Sequence, residues 1–357
     1  MTTTIDQQQE SPAAPPVCAP ARMNLNDSYG PDAAGLICGY VFTPGEPGRK
    51  VSAIEAREWL KAGATAGGFV WLHFNLAHAA CQKWLMHHLS LTPAFYETLR
   101  EESRSTRIEY ADEALIAVVN DVLFDFSLEA PDIATLWVSA DARMLVSART
   151  KPLRSIDQLR ASVNHGETFR STTDLLIRLL RDQAEVLVRI VREATQKTDM
   201  AEDNLLAGRL GTKRANLGTL RRVLVRLQRL LAPEPAALFR LLNHPPAWIA
   251  AHDVQDLRES TEEFSAALND MAGLLERIKL LQEEIAAMVN EQNNRSLFVL
   301  TIVTVLALPI NIIAGLLGMN VGGIPLAKDE NGFWVIVGIV LTFTVIAVWV
   351  TFWRRRD

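Results

Sequence analysis

Two long stretches near the C-terminus contain no charged residue, and this feature constrains the fold more than any other. They cover Ser296–Leu317 and Phe333–Trp353. Each is about 20 residues long, the length that a helix needs to cross the ~30 Å hydrocarbon layer of a membrane. A pair of buried core helices is the alternative, but soluble helices seldom lack a polar face over such a length. The sequence therefore predicts two transmembrane helices joined by a short loop.

Basic residues flank these two segments on one side. Arg295 precedes the first segment, and Arg354, Arg355 and Arg356 follow the second. Because basic residues favour the cytoplasmic side of a membrane, we expect both termini in the cytoplasm. The N-terminal tail is rich in Thr, Gln, Pro and Ala and lacks the apolar core of a secretory signal, so it predicts a disordered segment.

The rest of the chain changes character twice. Three strand-like segments, GLICGYVFTP, GGFVWLHFNL and EALIAVVNDVLFDF, and a hairpin in IATLWVSADARMLVSART predict a cytosolic α+β domain. One of its helices is expected to start at Thr92, with Pro93 at the first helical position. After it the apolar residues take helical spacing, and prolines near residues 233–246 mark a break between helices. The predicted segments are a tail at 1–34, an α/β domain at 35–163, a helical hairpin with basic outer helices at 164–246, a stalk helix at 247–295, a pore-lining span at 296–317, an external loop at 318–332, a second span at 333–353 and a basic tail at 354–357.

Composition excludes several classes of function. The net charge of −5 gives no sign of the basic surface that nucleic-acid binding needs. The three cysteines show no CxxC spacing and predict reduced thiols rather than disulfides or a zinc knuckle. No nucleophile–base pair, phosphate loop or metal-ligand spacing supports a membrane-tethered enzyme, so we expect a non-enzyme.

The long helix before the first span carries two rows of residues with the same stride. An apolar row recurs every seven residues, as in the seam of a coiled coil: Leu257, Phe264, Met271, Ile278 and Ile285. A second row is small or polar and continues into the span. Its acidic members are Glu262, Glu276 and Glu283, and the members that follow are Asn290, Asn294, Leu297, Thr301, Thr304, Leu308, Asn311 and Gly315.

We interpret the second row as the lining of a water-accessible axis, because a lipid-facing amide at Asn311 would have no partner. Two spans cannot enclose a lumen, so a pore requires several copies of the chain around one axis. The stretch from Asp253 to Arg295 has ten acidic and four basic residues, and an acidic vestibule raises the local concentration of cations. The alternatives are scattered polar residues, with threonines bonded back to their own helix, and an ordinary solvated acidic face.

The loop after the first span contains a motif that is similar to that of a known protein family. Gly318, Met319 and Asn320 are followed there by Val321-Gly322-Gly323-Ile324-Pro325. The first motif resembles that of the CorA superfamily of divalent-cation channels and transporters, and the extension is similar to its ZntB zinc-transporter branch. The segments WLHFNLAHAACQKWL, EESRSTRIEYADEAL and LVSART are also similar to that branch.

This resemblance implies a homopentamer with the CorA-like funnel, in which the α+β cytosolic domain and long helices lead to a two-helix transmembrane hairpin in the inner membrane. It implies that Gly318, Met319 and Asn320 form a ring at the outer mouth, where the Asn320 amides hold a metal ion through its hydration shell. The implied function is zinc uptake, with proton coupling. The cation is cargo, and no bound cofactor is expected.

Other interpretations stay open. A magnesium, cobalt or nickel channel of the same superfamily is one, and a non-transporting membrane sensor or scaffold is a less favoured one. Neither span contains Asp, Glu, His or Lys, so a proton relay inside the hydrocarbon layer is absent. Proton coupling would have to use water or groups outside the spans, such as Glu276, Glu283, Glu291, Asp329 and Glu330.

Overall fold

The structure, a computed structural model, describes residues 32–63, 67–101, 105–128, 133–207, 214–318 and 331–353. Most of the predicted tail, the motif residues Met319 and Asn320, the rest of the loop to residue 330 and the basic end at 354–357 lie outside these ranges. The strands are β1 (Leu36–Phe42), β2 (Arg49–Lys50), β3 (Phe69–Asn75), β4 (Arg107–Ala111), β5 (Ala114–Val122), β6 (Ile133–Ala140) and β7 (Met144–Arg149). The helices are α1 (Ala53–Lys61), α2 (Cys81–His88), α3 (Pro93–Arg100), α4 (Arg154–Asn164), α5 (Thr172–Leu206), α6 (Arg214–Leu231), α7 (Pro233–Asn243), α8 (Ala251–Leu317) and α9 (Gly332–Trp353).

The strands form one mixed sheet in the order β2-β1-β3-β7-β6-β5-β4. Strands β3 and β7 pair in parallel, and the other neighbouring pairs are antiparallel. All residues of β5 and β7 are buried. A strand covered on both faces needs no polar side, which explains the nearly continuous apolar runs in the sequence. The three predicted single strands correspond to β1, β3 and β5, and the predicted hairpin corresponds to β6 and β7.

Helices cover both faces of the sheet. On one face the core joins Trp71 and Leu136 of the sheet to Leu159 of α4 and Leu175 of α5. On the other face the strands pack against apolar residues of α1 and α2, such as Leu85. Hydrophobic burial on both sides is what the sequence of a central, mostly apolar strand requires.

Short-range hydrogen bonds set the start of two helices. The Ser52 hydroxyl accepts a bond from the Glu55 N–H at 3.3 Å, and the Glu55 carboxylate accepts one from the Ser52 N–H at 2.7 Å. This reciprocal pair is a capping box for α1. Thr92 caps α3, whose first helical residue is Pro93, as the sequence predicts.

The proline-rich segment near residues 233–246, predicted as a break between helices, contains a helix of its own. Helix α7 occupies it, because Pro233 and Pro235 stand in the first turn, where a missing N–H costs no helical hydrogen bond. The break comes later, at Pro245 and Pro246, and α8 begins at Ala251 rather than at the predicted Ala247. Strand β4 and helix α4 were not predicted as separate elements either.

The chain forms two compact units. The first contains the sheet and consists of residues up to Ile190 together with Arg226–Asn269. The second consists of Val191–Val225 and the residues from Asp270 onwards. In the first unit, Leu257 near the start of α8 belongs to the same buried cluster as Ile177 of α5 and Leu238 of α7.

Candidate ion pathway

Helix α8 buries one of its two rows and exposes the other. In the first unit Leu257 and Phe264 are buried, and in the second unit so are Met271, Ile278 and Ile285. The heptad seam predicted from the sequence is therefore the side of the helix that packs within each unit. The small and polar row lies on the opposite side.

The acidic members of the row are all exposed. Glu262 lies in the first unit, and Glu276 and Glu283 lie in the second. Glu276 pairs with Lys279 of the same helix at 3.1 Å. Within the described part of the chain, Glu262 and Glu283 form no ion pair. Repeated exposed carboxylates give this surface a negative potential, which attracts cations.

One basic residue close to the row is neutralised from another helix. Arg277 donates to Glu202 of α5 and contacts Asp199 of α5 at 2.7 Å, all within the second unit. The hydrogen bonds to Glu202 and then Asp199 raise the pKa of the Arg277 guanidinium. Because two carboxylates of α5 pair with this one positive charge, Arg277 offsets little of the negative potential along the row.

The remaining predicted lining residues are exposed as well: Asn290, Asn294, Leu297, Thr301, Thr304, Leu308, Asn311 and Gly315. From Asn290 to Thr301 the helix is exposed on every side, so burial does not distinguish one face there. Further along, a half-buried face appears at Ile302, Leu306, Ile310 and Ile313. At about 100° per residue, Thr304, Leu308 and Asn311 point away from that face.

The polar side chains of this segment differ in their hydrogen bonds. The hydroxyls of Thr301 and Thr304 donate to the carbonyls of Leu297 and Leu300, each at 2.8 Å. Both threonines are thus satisfied by their own helix and do not require a wet axis. Among the described residues, none bonds to the Asn311 amide. Asn311 therefore carries the argument for water at this depth.

Glycine ends the described part of this helix. The Gly318 N–H donates to the Ala314 carbonyl at 2.9 Å, and a Cβ at residue 318 would lie 3.1 Å from that oxygen. A side chain would crowd the helix end, so glycine suits this position. Met319 and Asn320 lie outside the described residues, and the selectivity motif stays a prediction.

Length and apolarity allow α8 to cross a membrane. The described apolar part of α9, Gly332–Ile346, is shorter. At its start Phe333 and Trp334 are 68% and 70% exposed. Large apolar side chains in such numbers at a surface indicate contact with lipid or with other chains.

The described residues contain no group of three or more His, Cys, Asp or Glu side chains placed to hold a metal ion. His87 and His88 each turn one ring nitrogen to a backbone carbonyl of their own helix. The sequence reasoning missed a buried carboxyl, Glu234. It is the one acidic residue among eight basic ones between Asn204 and Arg240, but this composition does not predict burial.

Comparisons with known proteins agree with the resemblance to the CorA superfamily. The family of CorA-like Mg2+ transporter proteins matches residues 66–355. The divalent cation transporter CmaX of Pseudomonas aeruginosa is 29% identical over an alignment of 332 residues that covers 91% of this chain and 97% of CmaX. The zinc transport protein ZntB of Yersinia enterocolitica is 23% identical over 294 residues, which are 82% of this chain and 89% of ZntB. The solved structure of full-length CmaX matches with a TM-score of 0.77 at 28% identity, covering 91% of this chain and 99% of that one.

The two named transporters differ in what their names state. ZntB is named for zinc, whereas CmaX is named for divalent cations in general. The relative with the broader name shares more identity over more of the chain. Similarity therefore supports divalent cations as a class more strongly than it supports zinc.

Proposed function

Because the chain belongs to the family of CorA-like Mg2+ transporter proteins, we propose that it takes up zinc through an axial pore lined by the first transmembrane segment of α8. Divalent cation transport is the activity of the superfamily, and the named relatives are transporters rather than enzymes. Zinc rests on the loop extension and on ZntB. Magnesium, cobalt and nickel are the alternative cargo, favoured by the broader name of CmaX.

The observation that carries the proposal is the opposition of the two rows on α8. One row is buried within the chain from Leu257 to Ile285. The other exposes carboxylates along that stretch and continues as exposed amides, hydroxyls and small residues to Gly315. Several copies arranged with this row inward would form a polar axis, and a homopentamer is the assembly that the superfamily suggests. Asn311 then faces water, which removes the cost of an unpaired amide in lipid.

The proposed topology puts both termini in the cytoplasm and the Gly318-Met319-Asn320 ring at the outer mouth of an inner-membrane pore. Neutral amide oxygens bind a hydrated dication weakly enough for it to leave again. A membrane potential of 100 mV, negative inside, favours inward movement of a dication by about 4.6 kcal/mol, twice the value for one charge. Uptake is therefore the direction that needs no further energy source.

The test is zinc flux into proteoliposomes that contain the purified full-length chain. Asn320→Ala should abolish flux while the oligomer keeps its size, because the ring loses its amide oxygens. Asn331→Ala, in the same loop but outside the motif, is the matched control and should transport normally. Normal flux through Asn320→Ala would refute the role of the ring.

Two further arms of this experiment separate the alternatives. Competition by magnesium, cobalt and nickel ranks the cargo, and flux with and without a pH gradient tests proton coupling. A sensor or scaffold would move none of the four metals in any arm, and that result would overturn the proposal.

A further inference from the structure

The first unit contains a fully buried carboxyl that has no cation beside it among the described residues. Glu234 stands in the first turn of α7 and has 0% exposure. Its two oxygens lie 3.1 and 3.4 Å from Nε2 of Gln183 on α5, which donates to them. The same nitrogen donates to the backbone carbonyl of Asn120 on β5 at 2.8 Å. A primary amide has two N–H groups, so one of them is left for Glu234.

Two other buried carboxyls in this unit have either more donors or a cation beside them. Asp121 accepts bonds from the Ser155 N–H at 3.0 Å, the Ser155 hydroxyl at 2.9 Å and the Val122 N–H at 2.8 Å. Asp182 pairs with Arg178 at 3.0 Å. Burial raises the pKa of each to about 6, and the donors or the arginine limit that rise.

Glu234 lacks such compensation. Burial raises its pKa well above the ordinary value of 4.5, the Gln183 bond lowers it in part, and the nearby Asp121 charge raises it. Among the described residues, Asp121 on β5 is the charged group that faces it, while α5 offers the neutral Gln183. Strand β4 also packs against α7, and its charged side chains Arg107 and Glu109 pair with each other at 2.8 Å. The N-terminal dipole of α7 favours the anion, but this effect is smaller than the penalty for burying an unpaired charge.

We propose that the Glu234 carboxyl is a proton-binding site that is occupied at neutral pH. The bound proton keeps the carboxyl uncharged and so allows the first turn of α7 to pack against α5 and β5. Leu238 lies one helical turn further along α7 and belongs to the same buried cluster as Leu257 of α8. Release of the proton would place a buried charge in this contact and loosen the packing around the start of α8. The inference depends on the first unit alone and stands whether or not the pore is as proposed.

Infrared spectroscopy of the full-length protein tests the protonation directly. At neutral pH the wild type should show the carbonyl stretch of a protonated buried carboxylic acid, and Glu234→Gln should lack it. A wild type without this band, or a variant that keeps it, would overturn the proposal. If the variant does not fold, the wild type alone decides: the band should persist above pH 6, where Asp121 and Asp182 are ionised.

The pH dependence of thermal unfolding gives a second readout. A carboxyl whose pKa is higher in the folded state binds more protons there, so its contribution to stability falls as pH rises from about 4.5 through the folded pKa. Glu234→Gln escapes this loss, and its Tm relative to wild type should keep rising with pH above 6. In the matched control Asp182→Asn, whose carboxyl also has a pKa raised to about 6, the relative Tm should stop rising at about pH 6. A flat difference for Glu234→Gln above pH 6 would contradict the proposal.

Discussion

The sheet-containing unit and the apolar end of α8 use similar residues in opposite ways. In the former, Trp71 and Phe264 are fully buried, whereas in the latter Leu297 and Val303 are 60% and 56% exposed. The same hydrophobic driving force acts on both. It is satisfied within the chain in the first case, and it needs lipid or further copies of the chain in the second.

The two regions differ in the reach of their polar contacts. In the sheet-containing unit some buried polar side chains have partners on distant elements, as Ser155 does for Asp121, while others, such as Thr261, bond to their own helix. At the apolar end of α8 the threonine hydroxyls bond to their own helix. Both regions also contain polar groups with few partners, such as Glu234 in the first and Asn311 in the second. The proposals for proton binding and for ion passage rest on these two groups.

The strongest test of this comparison is truncation of one buried and one exposed apolar side chain. Phe264→Ala should lower the free energy of unfolding by about 3–5 kcal/mol, because it opens a cavity in a packed core. Val303→Ala removes exposed atoms and should change it by less than about 0.5 kcal/mol. Denaturant unfolding of the detergent-solubilised protein measures both, and equal losses would break the distinction.

Replacement of the unpaired amide comes next in size. Asn311→Leu should lower zinc flux roughly tenfold, because an apolar constriction replaces a hydrogen-bonding group along the proposed axis. Ile312→Leu, an exposed neighbour of similar volume, is the control and should keep normal flux. Flux that survives in Asn311→Leu would show that this amide does not meet the ions.

A smaller effect is expected at the surface of the sheet-containing unit. Ser52→Ala removes the hydroxyl that caps α1 and should cost about 1 kcal/mol of stability. We expect a lower Tm in thermal unfolding and an unchanged zinc flux. A loss of transport with intact stability would contradict the purely structural role of this cap.

The smallest effect should come from the threonines of the row. Thr301→Val and Thr304→Val remove hydroxyls that are bonded within their own helix. We expect flux to stay within about twofold of wild type, since such hydroxyls offer little to a passing ion. A loss as large as that of Asn311→Leu would show that they turn toward the axis during transport.

Much of the architecture could be read from local patterns. The absence of charge over Ser296–Leu317 and the seven-residue seam on α8 depend only on spacing along one helix. The cap of α3 at Thr92 and Pro93 is equally local. The helix at Pro233–Asn243 was missed, because prolines that end one helix can also begin another.

The sequence by itself determined that the C-terminal part of this chain is apolar, uncharged and long enough to span a membrane. It also determined the heptad seam of α8 and the polar row with the same stride, because periodicity and charge are properties of the residues in order. Only the tertiary structure decided which acidic group is buried beside a neutral partner rather than a cation. Glu234 meets Gln183 and the Asn120 carbonyl from far along the chain, and its environment exists only when α5, α7 and β5 are packed. Burial and the choice of partner are set by distant segments, so the proton that this packing favours could not be read from the order of residues.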